Sequence, residues 1–306
     1  MKVLLITGAT GFIGSHVIEY LLKTPEFSDY QLVTLGSRAA HGDVLFVNSN
    51  NYTFSKQDFI DTGIDQIDTL IHIGAFTPKS GSEANLVAQS LSNIDNTSYL
   101  LNNLPSLPKK CLFMSTLDVY ANTSAPINEG STTKPGTLYG SSKLFCEDLV
   151  VQWALQNNVI PQILRIGHIY GPGEDQYRKL IPVVLEAVIR GESPKLTTSG
   201  EEMRAFLYIE DACRLLIQAV MLNEYVGPIN LVSARAVSVN KIVQTIINIS
   251  GKQVGIEQSK NAPKGRDTIF DPEKMHNLLG MESVSLHDGL LAEYQYFTDK
   301  YSEKPC

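Results

Sequence analysis

Short, continuous apolar runs alternate with longer amphipathic runs through the first half of the chain. Six runs rich in β-branched and aliphatic residues are KVLLIT, YQLVTL, DVLFVN, DTLIHIG, KCLFMS and IPQILRI. Their continuity is typical of strands that are buried on both faces of a sheet. Amphipathic runs such as GSHVIEYLLK lie between them and predict helices. The alternation predicts an α/β fold in which helices cover both faces of a doubly wound parallel sheet.

Beyond Tyr170 the pattern changes, because glycine- and charge-rich loops separate the apolar runs. The periodicity there predicts helices over Leu180–Ile189, Asp211–Leu222 and Val239–Ser250, and a strand over Gly227–Val232. Strand-like and helix-like runs recur among these loops, so we expect two lobes that interleave along the sequence. The predicted boundaries are residues 1–170 with 205–235 for the sheet domain, and 171–204 with 236–306 for a smaller C-terminal lobe.

Composition is typical of a globular protein, with 306 residues of which 43% are hydrophobic and 19% charged. No apolar run approaches the ~20 residues that cross a bilayer. Glycines break the apolar start MKVLLITGATGFIG, which therefore predicts a first strand rather than a signal peptide. The formal net charge is −7 and dense Lys/Arg runs are absent from the sequence. We expect neither a nucleic-acid partner nor a membrane partner.

The four cysteines, Cys111, Cys146, Cys213 and Cys306, are scattered without the C-x-x-C or Cys/His spacing of metal sites. Three of them fall inside apolar segments, where reduced cysteine behaves as a small hydrophobe. We therefore expect no bound metal and a reducing, cytoplasmic location.

Three glycines directly follow the first strand and open the first helix. Glycine permits a tight turn there and lets backbone amides approach a pyrophosphate, to which the helix N-terminus adds about half a positive charge. The arrangement predicts a dinucleotide-binding Rossmann domain over residues 1–170; a glycine-rich turn used only for packing is the alternative. The cofactor residues predicted in this turn are Gly8, Thr10, Gly11, Phe12, Ile13 and Gly14.

The end of the second strand bears on the choice of cofactor. NAD sites usually place Asp or Glu there to bind the adenosine ribose hydroxyls, whereas this strand ends in Gly36, Ser37 and Arg38. A carboxylate would repel a 2′-phosphate, while an arginine can bind one with two charge-assisted hydrogen bonds. NADP is therefore favoured over NAD, with Ser37 and Arg38 as cofactor ligands. Ser37 could serve a ribose hydroxyl of NAD equally well.

A tyrosine and a lysine four residues apart occur three times, at Tyr52/Lys56, Tyr139/Lys143 and Tyr296/Lys300. Spacing alone decides nothing, because the chain contains 13 tyrosines. Only Tyr139/Lys143 opens the apolar helix that follows the fifth strand, and residues four apart share a helix face. That strand ends at the hydroxyl of Thr116, at the sheet edge where such folds bind ligands.

This context predicts proton transfer by Tyr139, hydrogen bonding by Thr116, and hydride transfer to or from a nicotinamide. To act as a base near neutral pH, the pKa of the phenol must fall by ~3 units, worth ~4 kcal/mol. An ammonium ~5 Å away contributes about 3 kcal/mol at an effective dielectric of ~20. We therefore expect Lys143, together with an oxidised nicotinamide, to lower the pKa of Tyr139 enough for the phenol to act as a base near neutral pH.

These motifs together resemble the extended short-chain dehydrogenases/reductases of the nucleotide-sugar epimerase/dehydratase group, over nearly the whole chain. The matching segments are TGATGFIG, LIHIGA, STLDVY, PINE, YGSSK, LRIGHIYGPG, RAFLYIEDA and GRDTIFD. The resemblance implies a catalytic triad of Tyr139, Lys143 and Thr116. It also implies that Ile73, Gly74 and Ala75 line the cofactor. Asn93 matches an asparagine that helps to hold the lysine through water.

The resemblance also implies that the smaller lobe binds a nucleotide-diphosphate sugar. Arg204 and Arg266 match arginines that grip the diphosphate, although both could be surface ion-pair partners. Lys179 stands where epimerases often have asparagine. His168 stands where the family usually has asparagine in RxxN, and a packing role is equally open. Further candidate substrate contacts are Thr77, which could instead cap the next element, and Asp118, which could be structural.

The resemblance implies one of four reactions, namely 4,6-dehydration, decarboxylation, 4-epimerisation or reduction of a 4-keto-6-deoxysugar. Asp118 resembles the single carboxylate of the decarboxylating relatives, although it is shorter than their usual Glu. A 4,6-dehydratase usually has an Asp-Glu pair where this chain has Leu117 and Asp118, which argues against dehydration. The resemblance leaves a 4-epimerase or a 4-keto-6-deoxysugar reductase. Two alternatives remain: a non-catalytic NAD(P)-binding regulator, and a reductase of a non-nucleotide carbonyl compound. The family also implies a homodimer, for which the helix over Leu144–Leu155 offers an apolar face; a monomer that buries this face internally is the alternative.

Overall fold

The computed structural model describes residues 1–40, 44–49, 53–259 and 261–302. Its strands are β1 Lys2–Thr7, β2 Tyr30–Gly36, β3 Leu45–Asn48, β4 Thr69–His72, β5 Lys110–Thr116, β6 Ile160–Ile166, β7 His168–Tyr170, β8 Lys195–Leu196, β9 Met203–Tyr208, β10 Ile229–Leu231, β11 Ala236–Ser238 and β12 Glu257–Gln258. Its α-helices are α1 Phe12–Lys23, α2 Lys56–Asp61, α3 Val87–Asn103, α4 Leu138–Gln156, α5 Leu180–Ile189, α6 Ile209–Met221, α7 Val239–Ser250, α8 Glu273–Leu279 and α9 Leu286–Ser302.

Seven strands form a parallel sheet in the order β10-β6-β5-β4-β1-β2-β3. On both sides of β1, strands that come later in the sequence lie farther out: β4, β5, β6 and β10 on one side, and β2 and β3 on the other. The sheet is therefore doubly wound. The predicted fold class is confirmed. In such sheets ligands bind beyond the carboxyl ends of the strands where the order reverses, which here is the end of β1 between β2 and β4.

Helices cover both faces of this sheet. One apolar cluster joins β1, β5 and β6 to α1 and α6, with α5, α7 and α9 beyond them. The other joins the opposite face of the sheet to α2, α3 and α4. The central strands are buried on both sides, which explains their continuous apolar sequences.

A second, three-stranded sheet of β11, β9 and β7 lies outside the main one, and β12 pairs with β8. β10 returns to the edge of the main sheet beside β6. The proposed division into residues 1–170 with 205–235 and 171–204 with 236–306 stays a prediction.

Element boundaries shift by a few residues from the predicted ones. α5 and α7 have the predicted bounds, α6 begins at Ile209 rather than Asp211, and the Gly227–Val232 strand is shorter. Cys111, Cys146 and Cys213 are buried free thiols. Tyr52 and Cys306 lie outside the described residues. Within the described part of the chain, no helix is long and apolar enough to cross a membrane.

Candidate active site

The turn between β1 and α1 forms a backbone cradle. Gly8 has a φ of +73°, and a Cβ there would lie 2.6 Å from the Gly74 nitrogen. A Cβ on Gly14 would lie 2.1 Å from the Gly8 carbonyl oxygen. The residue that precedes α1 is Gly11, which has no side chain to cap the free amides of the helix. The close backbone approach and the uncapped helix end fit a bound pyrophosphate.

A buried hydrogen-bond chain supports this cradle from below. The Gly74 amide donates to the Thr7 hydroxyl (3.0 Å), which is also hydrogen-bonded to Nδ1 of His72 (2.7 Å). Nε2 of His72 is hydrogen-bonded to the Thr97 hydroxyl on α3 (3.0 Å). Burial, with a smaller contribution from Lys143, lowers the pKa of His72 to about 3. A neutral imidazole thus fixes the end of β4 against β1 and α3.

A cavity of about 460 Å³ extends from this cradle along the sheet edge. It brings together most of the residues predicted to bind a cofactor or face a substrate, which are Gly8, Thr10, Gly11, Phe12, Ile13, Gly14, Ser37, Arg38, Ile73, Gly74, Ala75, Thr77, Tyr139 and Lys179. The sequence reasoning missed other lining residues, among them Ser49, Met114, Ile166 and Tyr177. Met114 and Ile166 lie near the carboxyl ends of β5 and β6, a position that could have identified them.

At one end of the cavity, Ser37 and Arg38 lie beyond β2 together with Ser49. The Ser49 amide donates to the Gly36 carbonyl oxygen at 2.8 Å, which holds the segment after β3 against the end of β2. Carboxylates are not among the residues that line the described cavity at this end.

Tyr139 lies at the other end of the cavity, on the first turn of α4. Thr137 caps this helix, since its hydroxyl accepts from the Gly140 amide at 3.0 Å. Thr116 ends β5 and its hydroxyl accepts from the Asp118 amide at 3.2 Å. The strand end and the helix start thus place Thr116 and Tyr139 within hydrogen-bonding reach of each other. The fold brings these two residues together, since Thr116 ends a strand and Tyr139 lies on the following helix.

Desolvation opposes the predicted lowering of the Tyr139 pKa by Lys143 and an oxidised nicotinamide, which stays a prediction. Burial raises the pKa of Tyr139, and the Asp118 carboxylate raises it further, while hydrogen bonds with Thr77 and Thr116 oppose this only in part. Lys143 is also buried, with its Nζ 4.1 Å from the centre of the Phe113 ring. Burial lowers the pKa of Lys143 to about 8, although Cys146 and Glu147 oppose it. The prediction from the sequence considered the distance between the Lys143 ammonium and the Tyr139 phenol, and it omitted the desolvation of both groups.

Asn93 is buried on α3 between the cavity wall and α4. Its Oδ1 accepts from the Phe76 amide (2.7 Å), and its Nδ2 donates to the Ser142 hydroxyl (3.2 Å). Ser142 directly precedes Lys143, so Asn93 ties the cavity wall to the helix that carries the lysine. Its predicted link to Lys143 through water stays a prediction.

Behind Thr116 and Lys143 lies a buried ion pair that the sequence reasoning missed. Arg165 on β6 donates to Glu147 on α4 at 2.7 to 3.1 Å. The Ser115 hydroxyl donates to the same carboxylate at 2.5 Å, and Arg165 also donates to the Tyr120 hydroxyl at 2.9 Å. Side chains of Arg165 and Glu147 are only 6% and 5% exposed. Charged residues inside apolar runs are the signal that could have revealed it.

Of the predicted substrate residues, Thr77 and Lys179 line the cavity, and the others are not among its lining residues. Lys179 directly precedes α5, and its Nζ lies 4.6 Å from the centre of the Tyr177 ring. Desolvation, Arg204 and Lys179 lower the pKa of His168 to about 4, so its imidazole is neutral. Asp118 is exposed, yet desolvation by the surrounding protein raises its pKa, and Lys179, a hydrogen bond with Thr116, and Arg266 oppose this rise.

The two predicted diphosphate arginines lie side by side on paired backbone segments. Arg204 on β9 pairs with Thr268, and its Nη1 donates to the Arg266 carbonyl oxygen and to Thr268 Oγ1 (3.3 Å). Arg266 is exposed and donates to the Asn122 side chain. In this arrangement Arg204 supports the backbone that carries Arg266.

Of the other two Tyr-x-x-x-Lys pairs, Tyr296/Lys300 lies on α9, where the Tyr296 hydroxyl donates to Asp175 at 3.0 Å and Lys300 binds the same carboxylate. This pair joins α9 to the segment before α5. The placement of Tyr52 lies outside the described residues.

A family model described as the NAD dependent epimerase/dehydratase family matches residues 4–230. The chain belongs to this family. Membership confirms the expected resemblance and the expectation that the protein is an enzyme of the extended short-chain dehydrogenase/reductase type.

Individual relatives are more distant. The chain is 27% identical over 319 residues to an uncharacterized UDP-glucose epimerase of Bacillus subtilis, covering 98% of this chain and 99% of that protein. It is 26% identical over 317 residues to an Arabidopsis thaliana trifunctional UDP-glucose 4,6-dehydratase/UDP-4-keto-6-deoxy-D-glucose 3,5-epimerase/UDP-4-keto-L-rhamnose-reductase, covering 97% of this chain but only 47% of that protein. The chain therefore spans about half the length of that relative.

Among solved structures, a UDP-glucuronic acid 4-epimerase from Bacillus cereus in complex with UDP-glucuronic acid and NAD matches with a TM-score of 0.83 and 26% identity. The match covers 98% of this chain and 100% of that one.

Proposed function

We propose that the protein is a nucleotide-sugar 4-epimerase, which oxidises and re-reduces C4 of a sugar carried on UDP. The observation that carries this proposal is the placement of Tyr139 in the same cavity as the backbone cradle around Gly8 and Gly14. The UDP-sugar substrates of the Bacillus relatives support the choice of substrate.

The chemistry that a bound nicotinamide dinucleotide supplies here is hydride exchange with the sugar carbon. Tyr139 accepts the proton of the C4 hydroxyl as that carbon is oxidised, and returns it when the carbon is reduced. Thr116 and Thr77 hold the phenol in place by hydrogen bonding. Lys143 supplies positive charge that stabilises the phenolate. Since burial raises the pKa of Tyr139 in the protein itself, ionisation depends on positive charge gathered during binding.

The remaining residues are assigned as follows. The cradle, Ile73, Gly74 and Ala75 hold the dinucleotide, with Asn93 supporting Lys143 from behind. Substrate contacts are assigned to Thr77, Asp118, His168, Lys179, Arg204 and Arg266. Arg266 and Lys179 are exposed cations that both act on the Asp118 carboxyl, and two cations near one point suit a diphosphate.

A 4-keto-6-deoxysugar reductase is the second candidate, and Arg38 is the observation that favours it. Arg38 and Ser37 lie in the cavity beyond β2, where an arginine suits the 2′-phosphate of NADP. A reductase consumes NADPH in each turnover, whereas an epimerase returns its hydride. The preference for NADP over NAD is therefore part of this proposal.

The two candidates are separated by incubating the purified protein with UDP-glucose, UDP-glucuronic acid and 4-keto-6-deoxysugar nucleotides. An epimerase gives the C4 epimer without net consumption of cofactor, whereas a reductase consumes NADPH with a 4-keto sugar. Tyr139→Phe should lower kcat by about 10²- to 10⁴-fold and leave dinucleotide affinity unchanged. Tyr294→Phe, which makes the same change on α9, is the matched control.

If Tyr139→Phe is as active as the wild type, Tyr139 is not the proton-transfer residue. A second result would contradict the proposal: no nucleotide sugar reacts or raises the melting temperature, while the dinucleotide does raise it. The protein is then a reductase of a non-nucleotide carbonyl compound or a non-catalytic regulator.

We also propose a homodimer formed through α3 and α4. These helices pack together and both carry exposed apolar side chains, with Val87 and Leu91 on α3 and Phe145 and Leu155 on α4 at 53 to 62% exposure. Pairing of the two helices from each copy would bury them in a four-helix bundle.

A further inference from the structure

Two buried glutamates face each other beside the candidate site. Glu174 lies in the short turn before α5 and Glu293 lies on α9, and they are 2% and 0% exposed. Their side chains lie within hydrogen-bonding reach of each other. Nevertheless Oε1 of Glu174 and both carboxylate oxygens of Glu293 find no donor among the described residues. Two ionised carboxylates can only accept, so a hydrogen bond between them requires that one carries a proton.

The surroundings favour retention of that proton. Burial raises the pKa of Glu293, and the neighbouring Glu174 and Asp175 raise it further. Burial also raises the pKa of Glu174, while its hydrogen bond with Glu293 and the charge of Lys179 oppose the rise. The other titratable groups that act on the pair come from β7, β9 and the turn itself, and are Tyr170, Tyr208 and Tyr177. These three phenols carry no positive charge, so among the described residues the positive charge that acts on Glu174 is that of Lys179.

Contacts on both sides of the pair fasten α9 to the segment 170–179. A Cβ on Gly289 would lie 2.2 Å from the Tyr170 hydroxyl, so α9 packs at this point against the side chain of Tyr170 from β7. Asp175, one residue beyond Glu174, binds Tyr296 and Lys300 on α9. The segment then continues to Tyr177 and Lys179, which line the cavity with Tyr139. The position of Lys179 therefore depends on how the segment is held against α9.

We propose that Glu174 and Glu293 share one proton at neutral pH, and that this acid–carboxylate hydrogen bond holds segment 170–179 against α9 and so positions Lys179 at the wall of the site. Both are positioning residues, since they act through Lys179. The part that concerns substrate rests on the proposed function, whereas the shared proton does not.

Three variants test the pair. Glu293→Gln supplies an amide donor that needs no proton, Glu293→Leu removes the donor, and the exposed Glu192→Gln is the matched control. Infrared difference spectra at neutral pH should show the carbonyl stretch of a protonated carboxyl in the wild type and in Glu192→Gln, and lose it in Glu293→Gln. Glu174→Gln serves as the second variant if a change at position 293 prevents folding.

Melting temperature against pH gives the second measurement. Because both carboxyls have raised pKa values in the fold, the stability they provide is full in acid and is lost as the pH rises. Between about pH 6 and about pH 9 the melting temperature of the wild type should therefore fall further than that of Glu293→Gln. Equal slopes, together with no protonated-carboxyl band in the wild type, would overturn the proposal.

Substrate affinity gives the third measurement. Glu293→Leu should raise the KM for the nucleotide sugar several-fold with a smaller change in kcat, and Glu293→Gln should restore it. If both variants raise KM alike, the pair does not position Lys179. If no nucleotide sugar is turned over, the proposed function fails, while the spectra and the melting curves still decide whether the proton is shared.

Discussion

The buried pair of Glu147 and Arg165 offers the sharpest test of how the fold supports the site. Glu147→Gln keeps the shape of the side chain but leaves the Arg165 guanidinium buried without its anion. The three contacts of 2.7 to 3.1 Å between Arg165 nitrogens and Glu147 oxygens lose the negative charge of the carboxylate. The NH₂ group of the new amide then faces the N–H donors of Arg165. Loss of one partner of such a pair costs about 3–5 kcal/mol. At 6% exposure Arg165 cannot recover this in water.

The cost is measured by urea unfolding followed by circular dichroism, at one protein concentration for all variants. The control is Asp148→Asn, the same loss of charge at the adjacent, exposed position, which should stay within ~0.5 kcal/mol of the wild type. Adding Arg165→Met to Glu147→Gln should recover part of the loss, because the unpaired charge is then gone.

The same variant should change the pH dependence of activity. The Glu147 carboxylate raises the pKa of Lys143, which burial has lowered to about 8. Without it the lysine deprotonates at a lower pH, so the alkaline limb of kcat against pH should move toward neutral pH. The reasoning is refuted if Glu147→Gln unfolds within ~1 kcal/mol of the wild type and keeps its alkaline limb.

Three further predictions concern binding. Gly14→Ala should fold but weaken dinucleotide binding, since its Cβ would lie 2.1 Å from the Gly8 carbonyl oxygen and overpacking costs about 1–3 kcal/mol; unchanged affinity in a fluorescence titration would show that the cradle is not used. Arg38→Ala should weaken NADPH binding by about tenfold or more relative to NADH by calorimetry, as a charged hydrogen bond contributes about 1.5–3 kcal/mol; equal losses would remove the case for NADP. Phe145→Lys should convert a dimer into monomers in sedimentation measurements, and a dimer that survives it uses another surface.

The local sequence determined most of the fold and the location of the site. Continuous apolar strands, amphipathic helices and the glycines between β1 and α1 depend on backbone geometry and on burial, which act over a few residues. For that reason α5 and α7 have the predicted bounds, and Gly8, Gly14, Arg38 and Tyr139 line one cavity as the strand order requires.

Only the tertiary structure decided the electrostatics. Whether a carboxylate is paired, and how far a phenol is desolvated, depends on side chains from distant parts of the chain. Glu147 meets Arg165, and Glu174 meets Glu293, across 18 and 119 residues of sequence. Desolvation grows with all the protein atoms around a group, while the spacing between Tyr139 and Lys143 describes only one neighbour. The sequence thus determined where the proposed proton-transfer residue, Tyr139, lies, and the fold determined how readily it ionises.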